Sequence, residues 1–388
     1  MTSRKLSRRS QELNPFHVMD ILAQAKALSQ QGKTIYHLEI GEPDFATAEP
    51  IVNAGIDTLK QYKTHYTPAL GLPELRESIA AYYDRKFSLD IDPRRVIITP
   101  GASGALQLAI LCLLDAGDNV LLADPGYPCN KNIAQVLAAE AIAVPVSAEN
   151  YYQLEAKSVA RHWNNRTRAA MVATPSNPTG TILPMQQLAS LCQFVERKQG
   201  RLIVDEIYQG LVYEGEEYTA LNVSDECFVI NSFSKYFGMT GWRLGWMVVP
   251  EFYVDAIDRI AQNIYLAPPT VSQFAALAAL KTETQTILDA RRDEFKQRRD
   301  FLLPALEQLG FEVSVKPQGA FYIYANCSRF TDDSFSWVKK LLIEQGVALT
   351  PGIDFGAHRA NEHCRFAYTQ SLDTLQRAVD KIDAFIRT

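Results

Sequence analysis

Between residues 96 and 249, short runs of β-branched and aliphatic residues alternate with longer stretches in which apolar residues recur at helical spacing. The runs cover 96–99, 119–123, 169–173, 201–204, 228–231 and 244–249. Strands separated by helix-length segments predict an α/β domain with a mostly parallel sheet covered by helices. Between the first two runs, Leu106, Ala109, Ile110, Leu113 and Leu114 fall at i, i+3, i+4, i+7 and i+8, the stripe of a helix laid on a sheet. From residue 282 the pattern changes to a long charged amphipathic helix carrying Leu288, Arg291, Phe295, Arg298, Leu302 and Leu306. An alternating strand, Phe321-Tyr322-Ile323-Tyr324, a helix around 335–344 and a closing helix over 374–386 follow. The 388 residues suit about two domains. The pattern predicts a large domain over 45–281, a smaller α+β domain assembled from 15–44 and 282–388, and a solvated, frayed arm over 1–14. No internal repeat or long polar linker separates them, so the two domains are expected to share an interface.

Composition narrows the class without naming a function. Apolar residues make up 47% and charged residues 21%, as in ordinary globular proteins. The 44 acidic against 39 basic residues give a net charge of −5, with no concentrated basic face to favour nucleic acid. The longest apolar stretch, 108–114, ends at Asp115, far short of the roughly 20 residues a membrane-spanning helix needs. Arg4, Lys5, Arg8 and Arg9 precede no apolar core of a secretory signal, so a cytoplasmic location is expected. Six cysteines stand singly, with no Cys-x-x-Cys pair or paired histidines, and predict buried thiols rather than a metal site.

The informative positions lie just after the strands, because open α/β sheets bind ligands in the crevice at the carboxyl ends of their strands. Five such ends carry polar groups: Pro100-Gly101-Ala102-Ser103-Gly104, Asp124-Pro125-Gly126-Tyr127, Thr174-Pro175-Ser176-Asn177-Pro178-Thr179-Gly180, Asp205-Glu206-Ile207-Tyr208 and Ser232-Phe233-Ser234-Lys235. A lysine at the end of an apolar strand can be desolvated enough to lower its pKa and become a nucleophile toward an aldehyde. Ser232, Ser234 and Arg243 supply donors suited to a phosphate monoester, and the glycines of Gly238-Met239-Thr240-Gly241-Trp242-Arg243-Leu244-Gly245 let backbone approach it. Free N–H groups at the start of the helix near Ala102 and Ser103 favour the same anion.

The run Ser-x-Ser-Lys-x-x-Gly-x-x-Gly-x-Arg-x-Gly resembles the lysine signature of class I/II aminotransferases, pyridoxal-phosphate (PLP) enzymes of fold type I in the aspartate aminotransferase superfamily. Five further segments match in order: Gly41-Glu42-Pro43-Asp44-Phe45; Tyr66-Thr67-Pro68 with Gly71-Leu72-Pro73-Glu74-Leu75-Arg76; Asn177-Pro178-Thr179-Gly180; Asp205-Glu206-Ile207-Tyr208; and Arg365-Phe366-Ala367. The resemblance implies a large domain built on a mostly parallel seven-stranded sheet flanked by helices, plus a smaller α+β domain. It implies a PLP-dependent transaminase that moves the α-amino group of an amino acid to a 2-oxo acid by a ping-pong mechanism through a Lys235 Schiff base. It also implies a role for each matching residue. Lys235 holds the cofactor and shuttles the proton at Cα. Asp205 keeps the pyridine nitrogen protonated, with a helix N-cap as its alternative reading. Tyr208, on the same side if the turn after Asp205 is helical, and Asn177 donate to the ring's phenolic oxygen. Ala102, Ser103, Ser232, Ser234 and Arg243 hold the phosphate, and Tyr127 stacks on the ring. Arg365 takes the substrate α-carboxylate as a bidentate pair, with Gly41 and Asn177 beside it, and Tyr66 reaches across a homodimer interface to the partner's cofactor.

The same fold and cofactor could instead serve carbon–sulfur β-elimination, and the motifs do not separate the two reactions. A non-catalytic cofactor-binding regulator would need a DNA-binding domain for which the arm before Pro15 leaves no room. Neither nucleotide-binding glycine fingerprint occurs in its strand-to-helix context. The amino donor stays open. A dicarboxylate donor needs a second cation facing its side chain, and Arg359, near the right segment, is expected to be a solvated loop arginine.

Overall fold

The computed structural model describes residues 6–13 and 16–387. Its twelve strands are β1 (Tyr36–His37), β2 (Val96–Thr99), β3 (Asn119–Asp124), β4 (Glu140–Pro145), β5 (Thr167–Ala173), β6 (Arg201–Asp205), β7 (Phe228–Ser232), β8 (Gly245–Val248), β9 (Tyr322–Asn326), β10 (Val347–Ala348), β11 (Thr350–Pro351) and β12 (His363–Ala367). Seven of them form one sheet in the order β2-β8-β7-β6-β5-β3-β4. All of its pairings are parallel except the two made by β8.

Successive side chains of a strand face opposite ways, and both faces of this sheet are covered, so its central strands read as unbroken apolar runs. Ile97, Ala169, Ile203, Ile230 and Met247 pack on one side with the helices Gly101–Leu113 and Val254–Ile264. Ile98, Ala170, Val204, Val229 and Val248 pack on the other with Pro73–Phe87, Met185–Arg197 and Thr270–Ala279. The predicted stripe is buried at Leu106, Ala109 and Ile110. The sequence reading omitted β4. It is an edge strand of sequence Glu-Ala-Ile-Ala-Val-Pro with exposed residues along it, and edge strands lack the apolar run of central ones.

The rest of the chain builds the opposing wall of the cleft. β11, β12 and β9 form an antiparallel sheet, and β1 pairs in parallel with β10. Ala367 N–H donates to Leu38 O at 2.8 Å, so the two ends of the chain are joined by backbone hydrogen bonds. The long helix spans Thr282–Leu309 and buries two cations. Arg298 pairs with Asp44 at 2.8 Å and with Glu294 at 2.5 Å. Arg299 reaches Pro317 O and Glu214, each at 2.8 Å. These bonds offset most of the cost of burying the two guanidinium groups, although Arg298 Nε is left without a partner. Of the arm expected to be frayed, residues 1–5 and 14 lie outside the described residues, as does the boundary residue Pro15. The described part departs from that expectation, since Arg8–Glu12 is helical and Arg9 Nη1 donates to Val136 O at 2.9 Å.

Gly245 sets the fit between β8 and the start of the helix Gly101–Leu113. A Cβ there would stand 2.8 Å from Ala102 N and Gly101 C and 2.9 Å from Asn231 O, all backbone atoms that cannot swing away. Gly245→Ala is expected to cost about 1–3 kcal/mol, the range for overpacking a core, as read by urea denaturation.

Candidate active site

The five polar strand ends come together at the carboxyl edge of the large sheet, opposite β9–β12. Asp205 ends β6 and is buried, with Oδ1 accepting from Ile207 N–H at 3.1 Å. Burial raises its pKa from 3.8 to about 6, opposed by the Ile207 N–H and the nearby Lys235 cation. No helix begins at Asp205, which removes the N-cap alternative, and the condition of a helical turn for Tyr208 is not met. The chain instead makes successive turns, with Gln209 N–H donating to Glu206 O at 2.8 Å and Leu211 N–H to Tyr208 O at 2.9 Å. Tyr208 is still carried into the site, where its hydroxyl lies 2.7 Å from that of Tyr322. Glu206 has a structural role. It accepts from Ala220 N–H at 2.7 Å, Thr219 Oγ1 at 2.9 Å and Gln209 Nε2 at 3.0 Å, and burial raises its pKa to about 8.

Lys235 follows β7 and donates from Nζ to Gly41 O at 2.8 Å. Burial lowers its pKa from 10.5 to about 8, aided by the Arg365 and Arg243 cations and opposed by Glu42 and Asp205. Gly41 lies against a tyrosine: a Cβ there would stand 1.8 Å from the Tyr322 hydroxyl.

Arg365, in the middle of β12, is only 5% exposed, so it is no surface arginine. Nη1 donates to Asn177 Oδ1 at 2.8 Å, and Nη2 donates to Glu39 O at 2.6 Å and Thr350 Oγ1 at 3.2 Å. Its guanidinium carbon sits 4.2 Å from the Tyr322 ring centre and 4.9 Å from that of Phe355. Of five N–H groups, three are used, and the buried Nε has no partner.

An anion cradle adjoins this cluster. The helix Gly101–Leu113 has no side-chain cap, which leaves first-turn N–H groups of Ala102 and Ser103 free of intrahelical partners. Arg243, in the left-handed region at φ 53°, lies over that turn, where a Cβ on Gly101 would stand 2.7 Å from its Nη2. Ser232, the register partner of Gly245, accepts from Ser234 N–H at 3.0 Å through its hydroxyl. The cradle therefore combines a helix N-terminus, a cation and hydroxyls around a space that a single methyl group would obstruct.

A cavity of about 360 Å³ collects Lys235, Asp205, Tyr208, Asn177, Gly41, Arg365 and Tyr127. Tyr66 stays outside it, 82% exposed on the surface of this chain. Arg359 is exposed and paired with Glu362 at 2.6 Å, as expected of a loop arginine. Sequence reading missed Tyr322 and Thr350, which only strand register brings beside Arg365. It also missed Phe16, Val18, Met19, Leu22 and Phe355, apolar residues that look like ordinary core until the helix His17–Gln30 is placed. Among the described residues no cluster of His, Cys, Asp or Glu could hold a metal ion, and no helix is long and apolar enough to cross a membrane.

A buried lysine of lowered pKa near a buried carboxylate, at the carboxyl edge of a mostly parallel sheet, places the chain among α/β enzymes. The profile of the family Aminotransferase class I and II matches residues 33–382. Over 96% of both chains this sequence is 38% identical to a valine–pyruvate aminotransferase of Mycobacterium tuberculosis. It is also 38% identical to a (5-formylfuran-3-yl)methyl phosphate transaminase of Methanocaldococcus jannaschii, over 98% of this chain and 99% of that one. The solved structure of an aminotransferase from Mycobacterium tuberculosis superposes with a TM-score of 0.96 at 36% identity, covering 99% of this chain and 100% of that one. The chain belongs to the class I and II aminotransferases, whose fold is the PLP fold type I. Its reaction is amino-group transfer from an amino acid to a 2-oxo acid; the comparisons support this, not β-elimination. Enzymes of this family depend on pyridoxal phosphate.

The buried carboxylate has a measurable cost in the cofactor-free protein. Because its folded pKa is raised, the folded state loses relative stability as pH climbs from about 4 to about 6, and the loss persists above that. Asp205→Asn is expected to stabilise the cofactor-free protein by on the order of 2–3 kcal/mol at pH 8, with the gap closing toward pH 4. Urea denaturation at the two pH values checks this, and an equal effect at both would contradict it.

Proposed function

We propose that the chain transfers the amino group of a monocarboxylic amino acid with an uncharged, apolar side chain, using pyridoxal 5′-phosphate held by the residues described above. The observation that carries the donor class is the composition of the cavity wall. Among the described residues, Lys235 and Arg365 are the cations that line it, while Phe16, Val18, Met19, Leu22, Ile40, Tyr127 and Phe355 supply apolar surface. A second carboxylate would be buried there without a counter-charge, at a cost of several kcal/mol. The valine–pyruvate relative accords with this reading.

The residues present fit the cofactor, with the cradle of Arg243, Ser232, Ser234, Ala102 and Ser103 for its phosphate and Asp205 for its ring nitrogen. Tyr208 and Asn177 suit its phenolic oxygen, and Tyr127 offers a ring face. The cofactor supplies an aldehyde carbon to take the amino group and a cationic ring that draws electrons away from Cα. Lys235 Nζ, whose pKa burial lowers to about 8, would hold the cofactor at that carbon and, once displaced by the donor's amino group, would move the proton at Cα. Arg365 fixes the α-carboxylate with its unpartnered Nε–H and the Nη2 N–H that otherwise makes the long bond to Thr350, and so turns Cα toward Lys235. The apolar helix His17–Gln30 over the cavity excludes water from these steps.

The backbone bonds between the chain ends support a smaller domain drawn from 15–44 and 282–388 beside a large one over 45–281. Ile56, Leu59, Tyr62, Tyr66, Ile264 and Leu266 are exposed apolar residues, and His65 O, next to Tyr66, accepts from Thr270 Oγ1 at 2.8 Å. A surface of this kind suits the homodimer in which Tyr66 completes the partner's site. Six free thiols suit a reducing compartment such as the cytoplasm.

Lys235→Ala is expected to abolish both transamination and the visible absorbance of the PLP-loaded protein, and retained turnover would contradict the assignment. A donor panel with 2-oxoglutarate and pyruvate as acceptors is expected to give valine, leucine or phenylalanine a kcat/KM at least about a hundredfold above aspartate, as one unmatched buried charge costing several kcal/mol requires. A preference for aspartate would overturn the donor class.

A further inference from the structure

The helix His17–Gln30 roofs the cavity, yet it is weakly anchored by its own sequence. Phe16, at its N-cap position, provides no side-chain cap, and only Ile21 and Ala25 of the helix are buried. Its first two N–H groups are taken instead by a carboxylate from the far end of the chain: His17 N–H donates to Asp354 Oδ1 at 2.7 Å and Val18 N–H to Asp354 Oδ2 at 2.8 Å. Asp354 is 7% exposed and ends the short turn Gly352–Asp354. That turn is tightly packed, because a Cβ on Gly352 would stand 2.3 Å from Ala360 O and 2.7 Å from His363 O. The next residue, Phe355, lies against the Arg365 guanidinium.

We propose that Asp354 is a specificity-determining positioning residue: its carboxylate clamps the first turn of the roof helix and thereby sets the height of the pocket for the donor side chain. A carboxylate at a helix N-terminus gains from both the helix dipole and charge-assisted hydrogen bonds. Here the clamp fixes Phe16, Val18, Met19 and Leu22 relative to the arginine that orients the substrate. A donor whose side chain reaches the roof depends on that distance, whereas alanine, with one methyl group, does not reach it. The proposal rests on the apolar-donor reading for its kinetic consequence, but the clamp itself can be tested separately.

The test compares holoenzyme carrying Asp354→Ala with Asp354→Asn, which keeps one oxygen for the helix. Amide hydrogen exchange at residues 17–22 is expected to accelerate at least about tenfold in Asp354→Ala, with intermediate behaviour in Asp354→Asn. The ratio of kcat/KM for leucine to that for alanine, with 2-oxoglutarate as acceptor, is expected to fall about tenfold in Asp354→Ala, through KM for leucine. Asp354→Asn should recover most of that ratio. Unchanged exchange at 17–22 would overturn the clamp. Faster exchange with a leucine-to-alanine ratio within about twofold of wild type would overturn its role in specificity. A wild-type enzyme that prefers aspartate would instead sink the donor reading and leave the exchange result to judge the clamp.

Discussion

The burial of one guanidinium organises the cleft. Arg365 cannot be left inside the protein without partners, and its partners come from three places that are far apart in sequence. Asn177 comes from the end of β5, Glu39 O from the segment after β1, and Thr350 from β11. Satisfying one cation therefore joins the large sheet, the small sheet and the N-terminal segment around a single point. Two residues past Glu39, Gly41 O receives Lys235 Nζ, so the same arrangement places the lysine. Tyr322 serves both sides, with its ring against Arg365 and its hydroxyl on Tyr208.

Burial also tunes the acid–base groups. Both Lys235 and Asp205 are moved toward neutrality, to about 8 and about 6, so their pKa values bracket neutral pH. Burial makes each expensive to keep charged, and each can therefore respond to a ligand that brings the opposite charge or forms a bond. Glu206, adjacent in sequence to Asp205, shows the contrast. Its oxygens are occupied by Thr219, Ala220 and Gln209, so it braces the loop and takes no part in the cavity.

Much of this was legible in the sequence because strand ends of an α/β sheet converge whatever their spacing. Lys235, Asp205, Asn177, Tyr208 and Tyr127 each come within four residues of the end of an apolar run, and the cavity gathers all five. Other features depend on relations that no local pattern carries. β4 is an edge strand and lacks the apolar signature of its neighbours. Thr350 and Tyr322 meet Arg365 through strand register. Asp354 caps a helix 336 residues away, so the usual capping signal within a few residues of the helix start is absent. The turn after Asp205 shows a converse case, in which Tyr208 reaches the site although no helix forms there.

We propose that Arg365, held by Asn177, Glu39 and Thr350, receives the substrate carboxylate. The most direct test compares a donor amino acid with the corresponding amine, which lacks that carboxylate, on wild-type enzyme and on Arg365→Lys. Lysine keeps the charge but cannot form the planar bidentate pair. The account predicts that the preference for amino acid over amine falls by about two orders of magnitude in the variant, a loss confined to the amino acid. An equal loss for both compounds, or an unchanged preference, would contradict it.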